Sequence, residues 1–118
     1  MIGIGVQTKN VVNDNHPEEG FAMLKRAGFS SADFSLNDYL LNTSIYQGEL
    51  NDFFDRSVPE LEHFFTPHRQ GAEAAGITIN QMHMPYPVYV PGADGKINDY
   101  LWNQAAPKSM AVCAFFGC

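Results

Sequence analysis

Three short apolar runs, each followed by a segment with helical periodicity, constrain the fold of this chain more than any other feature of its sequence. The runs cover residues 2–6, 32–36 and 77–84, and their length is typical of strands rather than helices. The first helix is predicted over residues 17–27, with Pro17 at its first position and Gly28 as its C-cap. This alternation predicts an α/β fold, organised as a single domain over residues 1–118, with a parallel sheet.

The second helix carries clear signals at both of its ends. Ser57 and Glu60 have the spacing of a capping box, in which each side chain bonds to the other residue's backbone amide. Gly76 is expected to end the helix. Between them, Pro67 is expected to kink or restart the helix, with Thr66 as a new N-cap.

The last helix is predicted to follow a loop rich in proline and glycine. Asn98 or Asp99 is expected to cap this helix, and Gly117 to end it. Pro107 predicts a kink or a restart near Lys108, because proline lacks the amide that an uninterrupted helix requires.

Polar side chains follow the ends of the three predicted strands. Parallel α/β folds place their sites at the carboxyl ends of the strands. His83 is therefore the candidate catalytic residue, and the candidate substrate-binding residues are Gln7, Ser35, Asn37 and Tyr86. Residues 37–51 and 85–94 are expected to be long loops that cover such a site, with Tyr86, Tyr89 and Trp102 as possible walls.

The alternation of side chains predicts which residues share a face of the third strand. Ile77, Ile79, Gln81 and His83 have the same parity and are expected on one side. In the second strand, Asp33 lies on the polar face, where we favour a structural role for its carboxylate over a catalytic one.

Composition excludes several classes of function. The formal net charge is −6, and the seven Lys and Arg residues form no cluster, which argues against a nucleic-acid partner. No run approaches the length of a membrane span, and the first residues lack the basic start of a secretory leader. These features favour the cytoplasm, where Cys113 and Cys118 would be reduced.

Several of these segments together resemble the N-terminal part of the xylose isomerase-like TIM-barrel superfamily. The superfamily includes sugar-phosphate isomerases and epimerases and the endonuclease IV-like proteins (AP endonuclease family 2). The most specific piece is Gln81-Met82-His83-Met84-Pro85-Tyr86, and the similarity extends over essentially the whole chain through residues 28–36, 75–77, 90–92, 108–113 and 117–118.

This resemblance implies a fold, a cofactor and a substrate class. The fold would be a partial (β/α)₈ barrel of about three βα units that is not closed within one chain, since a full barrel needs about 250 residues. Full-length members use a divalent metal (Mn, Mg, Co or Zn) and act on a small sugar or keto-sugar. His83 corresponds to a strand-three histidine that contacts substrate in the isomerases and binds metal in the endonuclease-like branch.

Three functional hypotheses follow from the resemblance. The first is a fragment of a metal-dependent sugar isomerase or epimerase that is inactive alone and binds no metal itself, because most metal ligands of the family come from later strands. The second is a fragment of an endonuclease IV-like zinc nuclease. The third is a non-catalytic remnant that forms homo-oligomers, since three parallel strands leave two open edges.

Overall fold

Three parallel strands, lying side by side in chain order, form the sheet of the protein. The structure is a computed structural model that describes residues 2–118; Met1, the first residue of the predicted domain, lies outside it. The strands and α-helices are β1 Gly5–Gln7, α1 Pro17–Arg26, β2 Ser31–Ser35, α2 Asn42–Tyr46, α3 Val58–Ala75, β3 Thr78–His83, α4 Gly95–Tyr100 and α5 Ala106–Phe116. The predicted α/β class with a parallel sheet is confirmed, and within the described residues the sheet does not close on itself.

One face of the sheet is covered by helices and forms the core. Ala32 and Phe34 of β2 are buried on this face. The Phe34 ring lies 5.6 Å from that of Phe65 in α3 and 4.8 Å from that of Phe116 in α5, measured between centroids. Helix α1 packs against α3, and the two helices lie close together at Gly71. A Cβ atom on this glycine would lie 3.0 Å from the Glu18 backbone. Burial of these apolar side chains is the main driving force for folding.

The opposite face of the sheet is polar. Gln7 and Asp33 lie on it because they alternate with Val6 and Ala32, and Gln81 and His83 lie on it because they pair with Asp33 and Ser35. Gln81 and His83 are exposed to solvent. The helices and the polar face therefore lie on opposite sides of the sheet.

The third strand contains a bulge that corrects the predicted faces. Ala32 is paired with Ile79 but the next residue, Asp33, is paired with Gln81, so Asn80 is an extra residue in β3. The bulge reverses the alternation, and Ile79 is buried on the helix side whereas Gln81 and His83 point to the open side. The prediction that Ile77 and Ile79 share a face with Gln81 and His83 was wrong, although Gln81 and His83 do share one.

The first strand is shorter than predicted. It begins at Gly5 instead of residue 2, and Ile2 and Ile4 are 91% and 61% exposed. The reason is that β1 is an edge strand, which among residues 2–118 has a partner strand on one side only.

Helix α3 continues through its internal proline. The predicted capping box is confirmed: the Glu60 amide donates to Ser57 Oγ at 3.4 Å, and the Ser57 amide donates to Glu60 Oε2 at 2.7 Å. Gly76 ends the helix with φ of 69°, as predicted. The expected restart was wrong, because Thr66 donates its hydroxyl to the Glu62 carbonyl from inside the helix and caps nothing.

The C-terminal helices also differ from the prediction in their caps. Asp94 caps α4 by accepting from the Lys96 amide at 2.9 Å, so neither Asn98 nor Asp99 has that role. A π-helical turn, Leu101–Ala105, connects α4 to α5, and Pro107 lies in the first turn of α5. The predicted restart is confirmed to within two residues, because α5 begins at Ala106, directly after the π turn. Gly117 ends α5 as predicted, with φ of 83°.

The connection over residues 37–51 is partly helical. It contains a 3₁₀ turn, Asn37–Tyr39, and the short helix α2. A second 3₁₀ turn, Phe53–Asp55, precedes α3. The predicted loop is thus a chain of short turns, and the buried Leu40 and Ile45 anchor it to the core. Across residues 2–118, none of the helices has the length and apolar character needed to cross a membrane.

Candidate functional site

The central feature of the open face is a close contact between a histidine and a carboxylate on neighbouring strands. The Nδ1 atom of His83 lies 2.6 Å from Oδ2 of Asp33. The same oxygen accepts a hydrogen bond from the Gln81 amide nitrogen at 3.1 Å. The Asp33 side chain is 17% exposed and the His83 side chain 47% exposed. The Asp33 carboxylate therefore lies close to the sheet, and the His83 imidazole is the more exposed of the two groups.

This geometry fixes which atom of His83 can meet a ligand. When Nδ1–H donates to Asp33, Nε2 is the free ring nitrogen. A carboxylate that orients a histidine in this way also strengthens the imidazole as a hydrogen-bond acceptor. His83 can thus accept a proton or a hydrogen bond from a ligand hydroxyl through Nε2.

Asp33 belongs to the candidate site, although the sequence pattern favoured only a structural role for its carboxylate. Its partner is 50 positions away in the chain, and the bulge in β3 decides which residues lie beside it. The available signal was its place on the polar face of a strand next to the one that bears His83. Its second oxygen, Oδ1, is buried and finds no hydrogen-bond partner among residues 2–118.

Four of the five predicted site residues line one open depression of about 550 Å³, which we call the first depression. These four are Gln7, Asn37, His83 and Tyr86, and the rest of the lining is apolar, from Met82, Met84, Pro85 and Val88. Asn37 Oδ1 accepts a hydrogen bond from the Tyr86 amide at 2.8 Å, so its own amide hydrogens stay available. No lysine or arginine is among these lining residues.

Ser35, the fifth predicted site residue, lies beside His83 in the sheet but does not line the first depression. The two residues are paired in the ladder between β2 and β3. Ser35 is 2% exposed, and its amide donates to Thr8 Oγ1 at 3.0 Å. Tyr89 and Trp102, the other expected wall residues, are exposed outside this lining.

A buried histidine holds the loop that leaves β1. His68 of α3 is 1% exposed, and its Nε2 lies 2.7 Å from Asp14 Oδ1. The Tyr39 hydroxyl donates to the same oxygen at 2.5 Å. Burial, followed by the bond to Asp14, raises the pKa of the Tyr39 phenol well above its usual range, so it stays protonated as the donor. This contact ties the β1–α1 loop to α3 and to the turn after β2.

The open face offers few ligands for a metal ion. Asp33 and His83 supply one carboxylate and one imidazole, and His83 Nδ1 is already engaged. Catalytic metal sites usually have three protein ligands, so this set does not fit the divalent metal that the resemblance implies. Elsewhere, His16, Glu18 and Glu19 bring ligand atoms within 4.8 Å of one another, but all three are exposed at the start of α1, where the helix dipole disfavours cations.

Comparison with models of protein families, with curated proteins and with solved structures finds no match for this chain.

Proposed function

We propose that this chain is one sector of a (β/α)₈ barrel related to the xylose isomerase-like sugar isomerases and epimerases, and that its open face binds a small sugar or keto-sugar. The observation that carries the proposal is the Asp33–His83 pair on a polar sheet face whose other side is covered by helices. A barrel wall has this arrangement, with helices outside and site residues at the carboxyl ends of its strands. We assign this function to the cytoplasm.

In this proposal His83 contacts the sugar and Asp33 positions His83. The Nε2 atom accepts a hydrogen bond from a sugar hydroxyl, while Asp33 and Gln81 hold the ring in place. The amide groups of Gln7 and Asn37 and the hydroxyl of Tyr86 supply further donors and acceptors around the first depression. A divalent metal supplies carbonyl polarisation in the related isomerases, but the residues here do not form its site. We therefore expect no isomerase turnover from these 118 residues by themselves.

An endonuclease role receives less support from the same surface. A groove for DNA requires clustered positive charge, but the chain carries a net charge of −6 and the first depression lacks lysine and arginine. The sugar-binding proposal requires no such charge, because a neutral sugar is held by hydrogen bonds and apolar contact.

Sugar binding should depend on His83. Replacing His83 with alanine removes the hydrogen bond through Nε2 and should weaken the binding of xylose or fructose about tenfold, as expected for one bond to a strong acceptor. Isothermal calorimetry on the intact chain measures the change. The matched control is His63→Ala, which removes an exposed histidine from α3 and should leave the affinity unchanged. Equal affinities for both variants, or no binding of either sugar to the unmodified chain, would contradict the proposal.

Association between copies is the second part of the proposal. Both edges of the three-stranded sheet are open within the described residues, and Ile4 beside β1 and Met110 in α5 are 61% and 67% exposed. Open edges and exposed apolar side chains favour pairing with another chain. Light scattering should therefore report a dimer or larger species, and a monodisperse monomer at micromolar concentration would argue against it.

A further inference from the structure

A small depression between the end of β3 and the middle of α5 gathers most of the sulfur of the chain. It has a volume of about 110 Å³ and is lined by Met82, Met84, Ser109, Met110 and Cys113. We call it the sulfur depression. Positions 82 and 84 alternate along extended backbone, and positions 110 and 113 are one helical turn apart, so each element directs two sulfur side chains to one side. Three of the five methionines of the chain thus line one depression.

Sulfur supplies the free ligand atoms of this lining. Ser109 is 3% exposed, and its hydroxyl donates to the Ala105 carbonyl at 2.6 Å, so it is engaged within the helix. The lining includes no carboxylate and no imidazole. Three thioethers and the Cys113 thiol remain. Met110 is 67% exposed, so the depression is accessible from solvent.

We propose that the sulfur depression binds one Cu(I) ion through these four sulfur atoms. Thioether and thiolate sulfurs are soft ligands that prefer a soft cation such as Cu(I), whereas Mg²⁺ and Ca²⁺ take oxygen ligands. The depression is smaller than the roughly 300–1,000 Å³ of pockets that hold organic ligands, and larger than the roughly 30 Å³ that one water molecule occupies in the liquid. Its size therefore suits a metal ion better than an organic molecule.

The charge of the site is balanced by one proton transfer. Cys113 binds as the thiolate, and the proton that it loses passes to solvent as Cu(I) binds, with no change in oxidation state. The thiolate and the Cu(I) ion together carry no net charge, which lowers the cost of placing a cation among apolar side chains.

The copper site can be tested separately from the proposed sugar site. Met82 and Met84 also line the first depression, but Met110 and Cys113 do not. Substitutions at Met110 and Cys113 therefore report on the sulfur depression alone. The ion also differs from the divalent metal of the related isomerases, and the inference does not depend on sugar binding.

Anaerobic competition with bathocuproine disulfonate, a chelator that is coloured when it binds Cu(I), measures the affinity of the intact chain. We expect the chain to withhold one Cu(I) ion from the chelator, and Met110→Leu and Cys113→Ser each to weaken binding about tenfold or more. Met110→Leu removes the sulfur while it keeps an apolar side chain of similar volume. The matched controls are Met23→Leu in α1 and Cys118→Ser, which lie outside the lining and should leave the affinity unchanged.

Methyl NMR of the unmodified chain locates the ion independently of any variant. The methyl signals of Met82, Met84 and Met110 should shift when Cu(I) is added, and that of Met23 should not. If the chain withholds no Cu(I), or if Met110→Leu binds as tightly as the unmodified chain, the depression is only an apolar gap filled by flexible methionines and the proposal is overturned. Equal losses in Cys113→Ser and Cys118→Ser would place the ion at the C-terminal thiols and would also overturn it.

Discussion

Replacing Phe65 with alanine should lower the free energy of unfolding by about 3–5 kcal/mol, the usual cost of removing a buried phenylalanine. Phe65 is fully buried in α3, and its ring lies 5.6 Å from Phe34 in β2, 5.3 Å from Tyr39 and 5.8 Å from Phe116 in α5, between centroids. It is thus in contact with the sheet, a connecting turn and the last helix.

Urea denaturation followed by circular dichroism measures this loss. Because many small domains have a total stability of about 5–15 kcal/mol, this loss removes a large part of the stability, and the measurement is best made at low temperature. The control Met23→Ala shortens a side chain that is 53% exposed in α1 and should change stability by less than about 0.5 kcal/mol. Similar losses for both variants would show that Phe65 is not at the centre of the core.

Replacing His68 with alanine should cost on the order of 2–4 kcal/mol, from the cavity left among aromatic rings and from the lost contact with Asp14. The His68 ring packs against Phe34, Phe64 and Phe65 at centroid distances of 5.3 to 5.8 Å. Asp14 is 46% exposed, so water can replace His68 as its partner, and this limits the electrostatic part of the loss.

A control at the second histidine of α3 tests whether the stability loss is specific to His68. His63 lies on the same helix but is exposed, so His63→Ala should change stability by less than about 0.5 kcal/mol. Amide hydrogen exchange in His68→Ala should also increase in the β1–α1 loop, which the Asp14 contact holds against α3. Unchanged stability and exchange would mean that the contact does not anchor the loop.

Features that depend on a few neighbouring residues were predictable from the sequence. The capping box of Ser57 and Glu60 and the glycines that end α3 and α5 are local, and the structure confirms them. The order of strands and helices, and hence the parallel sheet, also follows from local periodicity.

Features that depend on distant contacts were not predictable. The bulge at Asn80 is defined by how β3 pairs with β2, and the Asp33–His83 pair depends on that pairing. Pro67 does not restart α3, because the packing of the helix on the sheet and on α1 outweighs one missing backbone hydrogen bond. Local rules specify elements, whereas the site arises from how those elements pack.

A titration of the ¹⁵N-labelled chain with xylose, followed by amide chemical shifts, tests the central claim most directly, because it maps where the sugar binds. We expect the largest shift changes at Gln7, Asn37, His83 and Tyr86, on the open face of the sheet, and we expect them to diminish in His83→Ala. Shift changes confined to the outer surfaces of α1 and α3, or none at saturating sugar, would contradict the assignment of the Asp33–His83 face as a sugar-binding site.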